Sequence, residues 1–131
     1  MDDCVFCKII KGEIPCHKVY ENDNFLAFLD IQPFTDGHTL VIPKKHYRWV
    51  YDVPNFGEYW EFAKKVTLIL QEKLQPDYIS YITMGKLVPH AHIHIIPRYP
   101  EDNLAGAFKN RRLHLNSKDL INTFNKVKND Q

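Results

Sequence analysis

Apolar positions recur with two periods along this chain. Short runs alternate or are wholly apolar, as strands are, and one long run repeats at three and four, as a half-buried helix does. Lys18 to Asn22 and Phe25 to Asp30 read as two strands joined by the turn pair Asp23-Asn24. His38 to Pro43 is a third strand, Tyr78 to Thr83 a fourth and His90 to Ile96 a fifth, with prolines closing the third and fifth. Between them, Phe56, Tyr59, Trp60, Ala63, Val66, Leu70 and Leu74 line one face of a helix from about Asn55 to Leu74. Asn55 with Glu58 has the form of a capping box, and Pro76 marks the stop. Val5 to Ile10 is a short helical turn stopped at Gly12. Ser117 opens a last helix with Leu120, Ile121, Phe124 and Val127 on one side, and the polar end from Lys126 to Gln131 is expected to fray. Meandering strands around one long helix predict an α+β fold with a largely antiparallel sheet of about five strands.

The chain has 131 residues, which fits one domain over 1–131 with a core large enough to need no disulfide. A formal net charge of +1 gives no field strong enough to gather nucleic acid or an anionic membrane. Neither a secretory leader nor a spanning segment is expected, since Asp2 and Asp3 stand where a leader would be basic. Three cysteines, an odd number, fit a reducing compartment, so the expected location is cytoplasmic.

Pro89-His90-Ala91-His92-Ile93-His94-Ile95-Ile96 carries the most chemical information. In a strand His90, His92 and His94 share one face, while Ala91, Ile93 and Ile95 share the other and can meet a core. Neighbouring histidines on that face have Cα atoms about 6.5–7 Å apart, which suits separate tasks better than one metal bound by all three. Imidazole can attack phosphorus through one nitrogen while a hydrogen bond holds the other, and a second imidazole can neutralise charge or protonate a leaving group. A solvated histidine-rich strand without chemistry is the plainer alternative, and strict alternation with apolar partners weighs against it. Cys4 and Cys7 form a C-x-x-C pair. Alone it supplies two of the four ligands of a tetrahedral zinc, and a redox pair, which lacks a thioredoxin-like βαβ context here, or two free thiols are the rival readings.

The run His-φ-His-φ-His-φ-φ resembles the signature of the histidine triad family. Cys4 to Pro15 resembles that family's N-terminal motif, Phe25 to Ile31 its second strand, and Gly37-His-Thr-Leu-Val-Ile-Pro-Lys-Lys-His46 its third-strand motif. The resemblance covers about residues 4 to 127. It implies a nucleotide hydrolase or transferase acting at an α-phosphate through a nucleotidyl-histidine intermediate. His92 would be the nucleophile, His94 would contact the phosphate or leaving group, and His38 would support the catalytic strand. Asp30 would bind the ribose hydroxyls, and Phe6, Ile9, Phe28 and Ile31 would line the base pocket, the implied ligands being purine nucleotides. Family members with the cysteine pair often hold structural zinc, here on Cys4, Cys7, His46 and His90. A homodimer paired about the long helix and an edge strand is also implied, and Tyr59, Trp60 and Phe62 could serve that interface or simply fill the core.

The chain departs from the family pattern before the triad. Thr83-Met-Gly-Lys-Leu-Val-Pro-His90 is a short turn lacking the asparagine and the Gln-Ser or Gln-Thr pair that bind phosphate. Lys86 is the candidate replacement, supplying positive charge beside Gly85. Cleavage of a nucleoside phosphoramidate or adenylated amine is the leading expectation. Dinucleoside polyphosphate hydrolysis, a weakly active nucleotide-binding adaptor and a zinc-dependent hydrolase are the alternatives. Cys16 is expected to be a neutral thiol, and His17 and His114 surface residues.

Overall fold

The computed structural model describes residues 3–100, 102 and 117–128. Helix α1 (Val5–Ile10) leads into strands β1 (Lys18–Glu21), β2 (Phe25–Leu29) and β3 (Thr39–Pro43). A single 3-10 turn (Val50–Asp52) precedes helix α2 (Phe56–Leu74), then come β4 (Tyr78–Ile82), β5 (Ile93–Arg98) and the C-terminal helix α3 (Ser117–Val127). The five strands lie in the order β1-β2-β3-β5-β4, every adjacent pair antiparallel. The predicted α+β class and the five-stranded antiparallel sheet with its long helix are therefore present.

Alternation divides the sheet into two faces. Phe25, Ala27 and Leu29 on β2, Val41 on β3 and Ile93 and Ile95 on β5 join Tyr59, Phe62, Ala63, Val66 and Leu70 of α2 in one core. Leu26, Phe28, Leu40 and Ile42 face the other way, against Cys4 and Phe6 of the N-terminal segment. Burying side chains of this size contributes about 1.5–3 kcal/mol each, so α2 anchors one face firmly while the short α1 covers the other. The Tyr59 hydroxyl, inside the larger core, donates to the Val41 carbonyl at 2.8 Å. Phe25 stacks on Tyr59 with ring centroids 5.1 Å apart.

Several expectations are corrected. The Asn55–Glu58 pair does not form a capping box: Asn55 caps no backbone N–H among the described residues, and its amide nitrogen donates instead to the Glu58 carboxylate at 3.3 Å. Tyr59 and Phe62 are core residues, whereas Trp60 is half-buried and packs edge-on against Tyr81. β5 starts at Ile93 rather than His90. Residues before it bond elsewhere, Ala91 N–H to the Tyr47 carbonyl at 2.7 Å and His90 N–H to the Val88 carbonyl at 2.8 Å. The strand also continues past Pro97. Pairing with β3 ends at Ile95, so the proline lies where only β4 remains as neighbour. His17 is half-buried against Phe124, at 5.0 Å between ring centroids, rather than on the surface. Val127 is fully buried, so the C-terminal helix is packed through the start of the polar end. His114 lies outside the described residues.

Gly37 holds the backbone just before β3 at φ +89°, and a Cβ there would run into the Leu74 side chain and sit 3.2 Å from Pro97 Cγ. Both the left-handed backbone and the lack of space require glycine. Gly37→Ala is expected to lower unfolding free energy by about 1–3 kcal/mol, read as a lower urea midpoint at unchanged slope.

Candidate functional site

The α1 face of the sheet carries the histidines, because the alternation that sends Ile93 and Ile95 into the α2 core turns their neighbours the other way. Phe6 reaches down from α1 and meets His90 and His92 edge-on, with centroids 5.8 and 5.3 Å away, and Phe28 at 5.6 Å. His92 and His94 are themselves 4.9 Å apart. All three triad residues are at least nine-tenths buried.

The hydrogen bonds of each ring fix its tautomer. His90 Nε2 lies 2.9 Å from the Pro43 carbonyl, which can only accept, so Nε2 carries the proton and the lone pair is on Nδ1. His92 Nδ1 lies 2.8 Å from the His90 carbonyl, so here Nδ1 carries the proton and the lone pair is on Nε2. His94 is set at one remove. The Phe34 backbone N–H donates to His38 Nδ1 at 3.0 Å, so His38 Nε2 carries a proton and donates it to His94 Nδ1 at 2.8 Å. His94 is left with its proton on Nε2. Three neighbouring imidazoles thus present a ligand nitrogen, a nucleophilic nitrogen and an N–H donor.

His90 Nδ1 belongs to the first of two clusters. The ligating atoms of Cys4, Cys7, His46 and His90 lie within 4.8 Å of one another. Cys4 Sγ is 3.3 Å and Cys7 Sγ 3.5 Å from His90 Nδ1, and Cys7 Sγ is 3.2 Å from His46 Nδ1. A tetrahedral zinc with ordinary bond lengths separates its sulfur and nitrogen ligands by about 3.5 Å, so this donor set fits that ion in type, number and spacing. The Pro43 carbonyl holds the His90 ring by the far nitrogen and so aims Nδ1 at the two thiols. Burial, reinforced by the adjacent Cys4, pushes the Cys7 thiol up to about 11, and burial pushes the His90 imidazole down to about 4. At neutral pH His90 offers its lone pair, and the Cys7 proton is one that an incoming cation must displace.

Asp30, His38 and His94 form a second cluster of similar compactness. Its chemistry differs. With Nδ1 engaged by the Phe34 amide, His38 Nε2 holds a proton in the place where a metal would need a lone pair. This cluster is therefore read as a hydrogen-bonded relay. Asp30 stands beside it, with Oδ2 3.7 Å from His38 Nε2 and Oδ1 accepting the Gln32 N–H at 2.9 Å.

A pocket of about 260 Å³ opens beside His92 and His94. The predicted Phe6, Ile9, Phe28, Asp30 and Ile31 all line it. Ile31 contributes from the rim, being 71% exposed. Lys86 is exposed on the turn before His90 and is not among the lining residues. Sequence reasoning missed Ile14, Pro15, Cys16, Gln32, Leu40 and Val88, which also line the pocket. They have no local signature, since the fold alone brings them together. Burial raises the Cys16 thiol, in keeping with a neutral group. The pocket is at the small end of ligand cavities, which commonly span about 300–1,000 Å³.

Long-range proton–nitrogen correlation spectra at neutral pH are expected to show His92 protonated on Nδ1 and His38 and His94 on Nε2. The reverse tautomer at His92 would remove the nucleophilic nitrogen from the pocket side and refute this assignment.

Residues 11–101 match the model of the HIT domain. The HIT-like protein MJ0866 of Methanocaldococcus jannaschii is 47% identical over 106 residues, covering 76% of this chain and 81% of that protein. Adenylylsulfatase HINT3 of Arabidopsis thaliana is 40% identical, over 85% of this chain and 60% of its own length. Adenosine 5'-monophosphoramidase HNT1 of Candida albicans is 37% identical, over 75% and 72%. Among solved structures, a Zn-bound histidine triad family protein from Mycobacterium smegmatis superposes with a TM-score of 0.81 at 31% identity, covering 97% of this chain and 91% of its own. A HIT-like protein from Bartonella henselae gives 0.81 at 30% identity, over 98% and 96%. With residues 11–101 matched by that family's model and relatives at 37–47% identity over three quarters or more of the chain, the chain belongs to the HIT-domain family.

Proposed function

We propose that the chain is a nucleotide hydrolase that cleaves a phosphoramidate or an adenylated amine at the α-phosphate and releases a nucleoside monophosphate. The observation that carries the reading is the pair of fixed tautomers: His92 with its lone pair on Nε2 and His94 with its proton on Nε2, side by side in the pocket wall. A relative named adenosine 5'-monophosphoramidase supports the phosphorus–nitrogen bond, and one named adenylylsulfatase supports an adenylyl substrate.

In this reading the base lies between Phe6, Ile9, Phe28 and Ile31, and Asp30 accepts from the ribose hydroxyls. His92 Nε2 attacks the α-phosphorus. The phosphorus–nitrogen bond breaks and its electron pair leaves with the amine, whose nitrogen enters the step already protonated, while His94 Nε2–H hydrogen-bonds the departing group. Water then adds its oxygen to phosphorus and gives its proton to the released amine, the electron pair of the phosphorus–His92 bond returns to Nε2, and the monophosphate departs. His38 keeps the His94 ring in the donor tautomer, and Lys86 adds positive charge near the leaving side. Residues Cys4, Cys7, His46 and His90 would hold a structural zinc ion. Such an ion would cross-link α1 to the end of β3 and to the approach to β5.

The reading extends to one domain over the whole chain and to a homodimer through the α2 and β4 surface, where Phe56, Leu68, Tyr78 and Tyr81 are exposed apolar groups beside an edge strand. Light scattering at micromolar concentration is expected to give twice the chain mass, and a monomer would end the dimer proposal.

His92→Asn is expected to reduce turnover of adenosine 5'-phosphoramidate by at least about 10³-fold while AMP still binds. Equal turnover by mutant and wild type would sink the enzyme reading. Chelation is expected to lower the melting temperature and the activity in step. Immediate loss of activity from an unchanged fold would instead indicate a catalytic metal.

A further inference from the structure

The short turn from Thr83 to Pro89 has no regular secondary structure of its own, yet it delivers Val88 to the pocket wall and ends on a metal-cluster histidine. Something outside the turn must hold it. The segment after β3 does so at two points. The Tyr47 carbonyl accepts the Ala91 N–H at 2.7 Å, beyond the turn's C-terminal end. Near its start, the Arg48 guanidinium donates to the Gly85 carbonyl.

Arg48 is itself held in place. Its guanidinium lies 3.9 Å from the centre of the Trp49 ring, a close cation–π contact. Trp49 stacks in turn on Tyr51, with ring planes 4° apart. The Trp49 backbone is pinned by the 3-10 turn, where its N–H donates to Asp52 Oδ2 at 3.2 Å and its carbonyl accepts the Asp52 N–H at 3.0 Å. Gly85 fits closely against this surface. A Cβ there would lie 3.3 Å from Trp49 Cε3 and 3.4 Å from Arg48 Nη1. The same segment carries His46, so the turn is bracketed by chain that begins at the Cys4-Cys7-His46-His90 cluster.

We propose that Arg48 and Trp49 are positioning residues for substrate binding, clasping Gly85 so that Val88 is held in the pocket wall where the nucleotide meets the turn. The proposal rests on the nucleotide reading of the pocket and deepens it. A turn without regular secondary structure of its own draws its rigidity from the neighbouring strand exit. Holding a loop in its bound geometry reduces the ordering cost of binding. Loss of the clasp should therefore weaken ligand affinity more than it slows chemistry at His92.

The test compares Arg48→Ala, Arg48→Lys, Trp49→Phe and Gly85→Ala with wild type. For Arg48→Ala, the Kd for AMP by calorimetry and the KM for adenosine 5'-phosphoramidate are expected to rise together by about tenfold, with kcat within about threefold. Arg48→Lys keeps the charge but loses the planar stacked donor, so it should behave like the alanine variant. Trp49→Phe keeps a platform and should remain near wild type. Gly85→Ala, which leaves both clasp residues in place and only crowds the contact, should raise Kd in the same direction. Backbone amide exchange at Leu87 and Val88 should accelerate in Arg48→Ala and Gly85→Ala, whether or not substrate is present. Unchanged exchange would show that the clasp does not hold the turn. Faster exchange with unchanged Kd and KM would show that the held turn does not govern binding. Either result overturns the proposal. Failure of the nucleotide reading is a separate event, visible as absent AMP binding in the wild type itself.

Discussion

The hydrogen bond from His92 Nδ1–H to the carbonyl of His90 is the contact on which the site depends. It connects two residues of one short segment, and it decides which nitrogen of His92 has a lone pair. An imidazole whose Nδ1 lost that acceptor would be released to the other tautomer and would turn a proton, rather than a nucleophile, toward the pocket. The bond can form only if the His90 carbonyl is correctly aimed. That aim is set from three directions: the Pro43 carbonyl takes the His90 ring proton, Tyr47 takes the Ala91 amide, and the Cys4 and Cys7 thiols meet His90 Nδ1. The cluster at the N-terminus therefore bears on the His92 ring through the His90 carbonyl.

Strand alternation makes this arrangement compatible with a stable core. A buried histidine on the α2 face would displace apolar packing, and a buried isoleucine on the α1 face would leave the pocket without chemistry. With period two, β5 meets both demands. Ile93 and Ile95 are fully buried against α2, while His92 and His94 line the pocket on the opposite face. Phe6 links the two requirements on that side. It fills the smaller core with Phe28, contacts the rings of His90 and His92, and lines the pocket. The small α1 thus serves as a wall of the site as much as a part of the fold.

Much of this was legible in the sequence because the decisive features are periodic or compact. The histidine face follows from alternation alone, and the α2 core follows from recurrence at three and four. The strand limits of β2 and β3 were close because turns and prolines mark them. What was not legible depends on contacts between distant segments. The start of β5 could not be read from its residues, since His90 to His92 look like strand but take partners at Pro43, Tyr47 and Val88. Asn55 and Glu58 have the right spacing for a capping box, yet side chain met side chain instead of backbone. Arg48 and Trp49 carry no motif at all. Their role arises only because β3 exits beside the turn before β5.

The two His-containing clusters show how little composition settles about a site. Each brings buried titratable groups within hydrogen-bonding range, and each would pass a search for metal ligands by residue type. They are separated by where one backbone group directs a proton. At His90 a carbonyl accepts from Nε2 and leaves a lone pair facing two thiols, the soft ligands that favour zinc. At His38 an amide donates to Nδ1 and obliges Nε2 to keep its proton, which then passes to the next ring as a hydrogen bond. A peptide carbonyl on one side and a peptide N–H on the other convert similar imidazoles into a ligand and a relay. Which nitrogen of each histidine keeps its proton is therefore written in the backbone that surrounds the histidines, not in the histidines themselves.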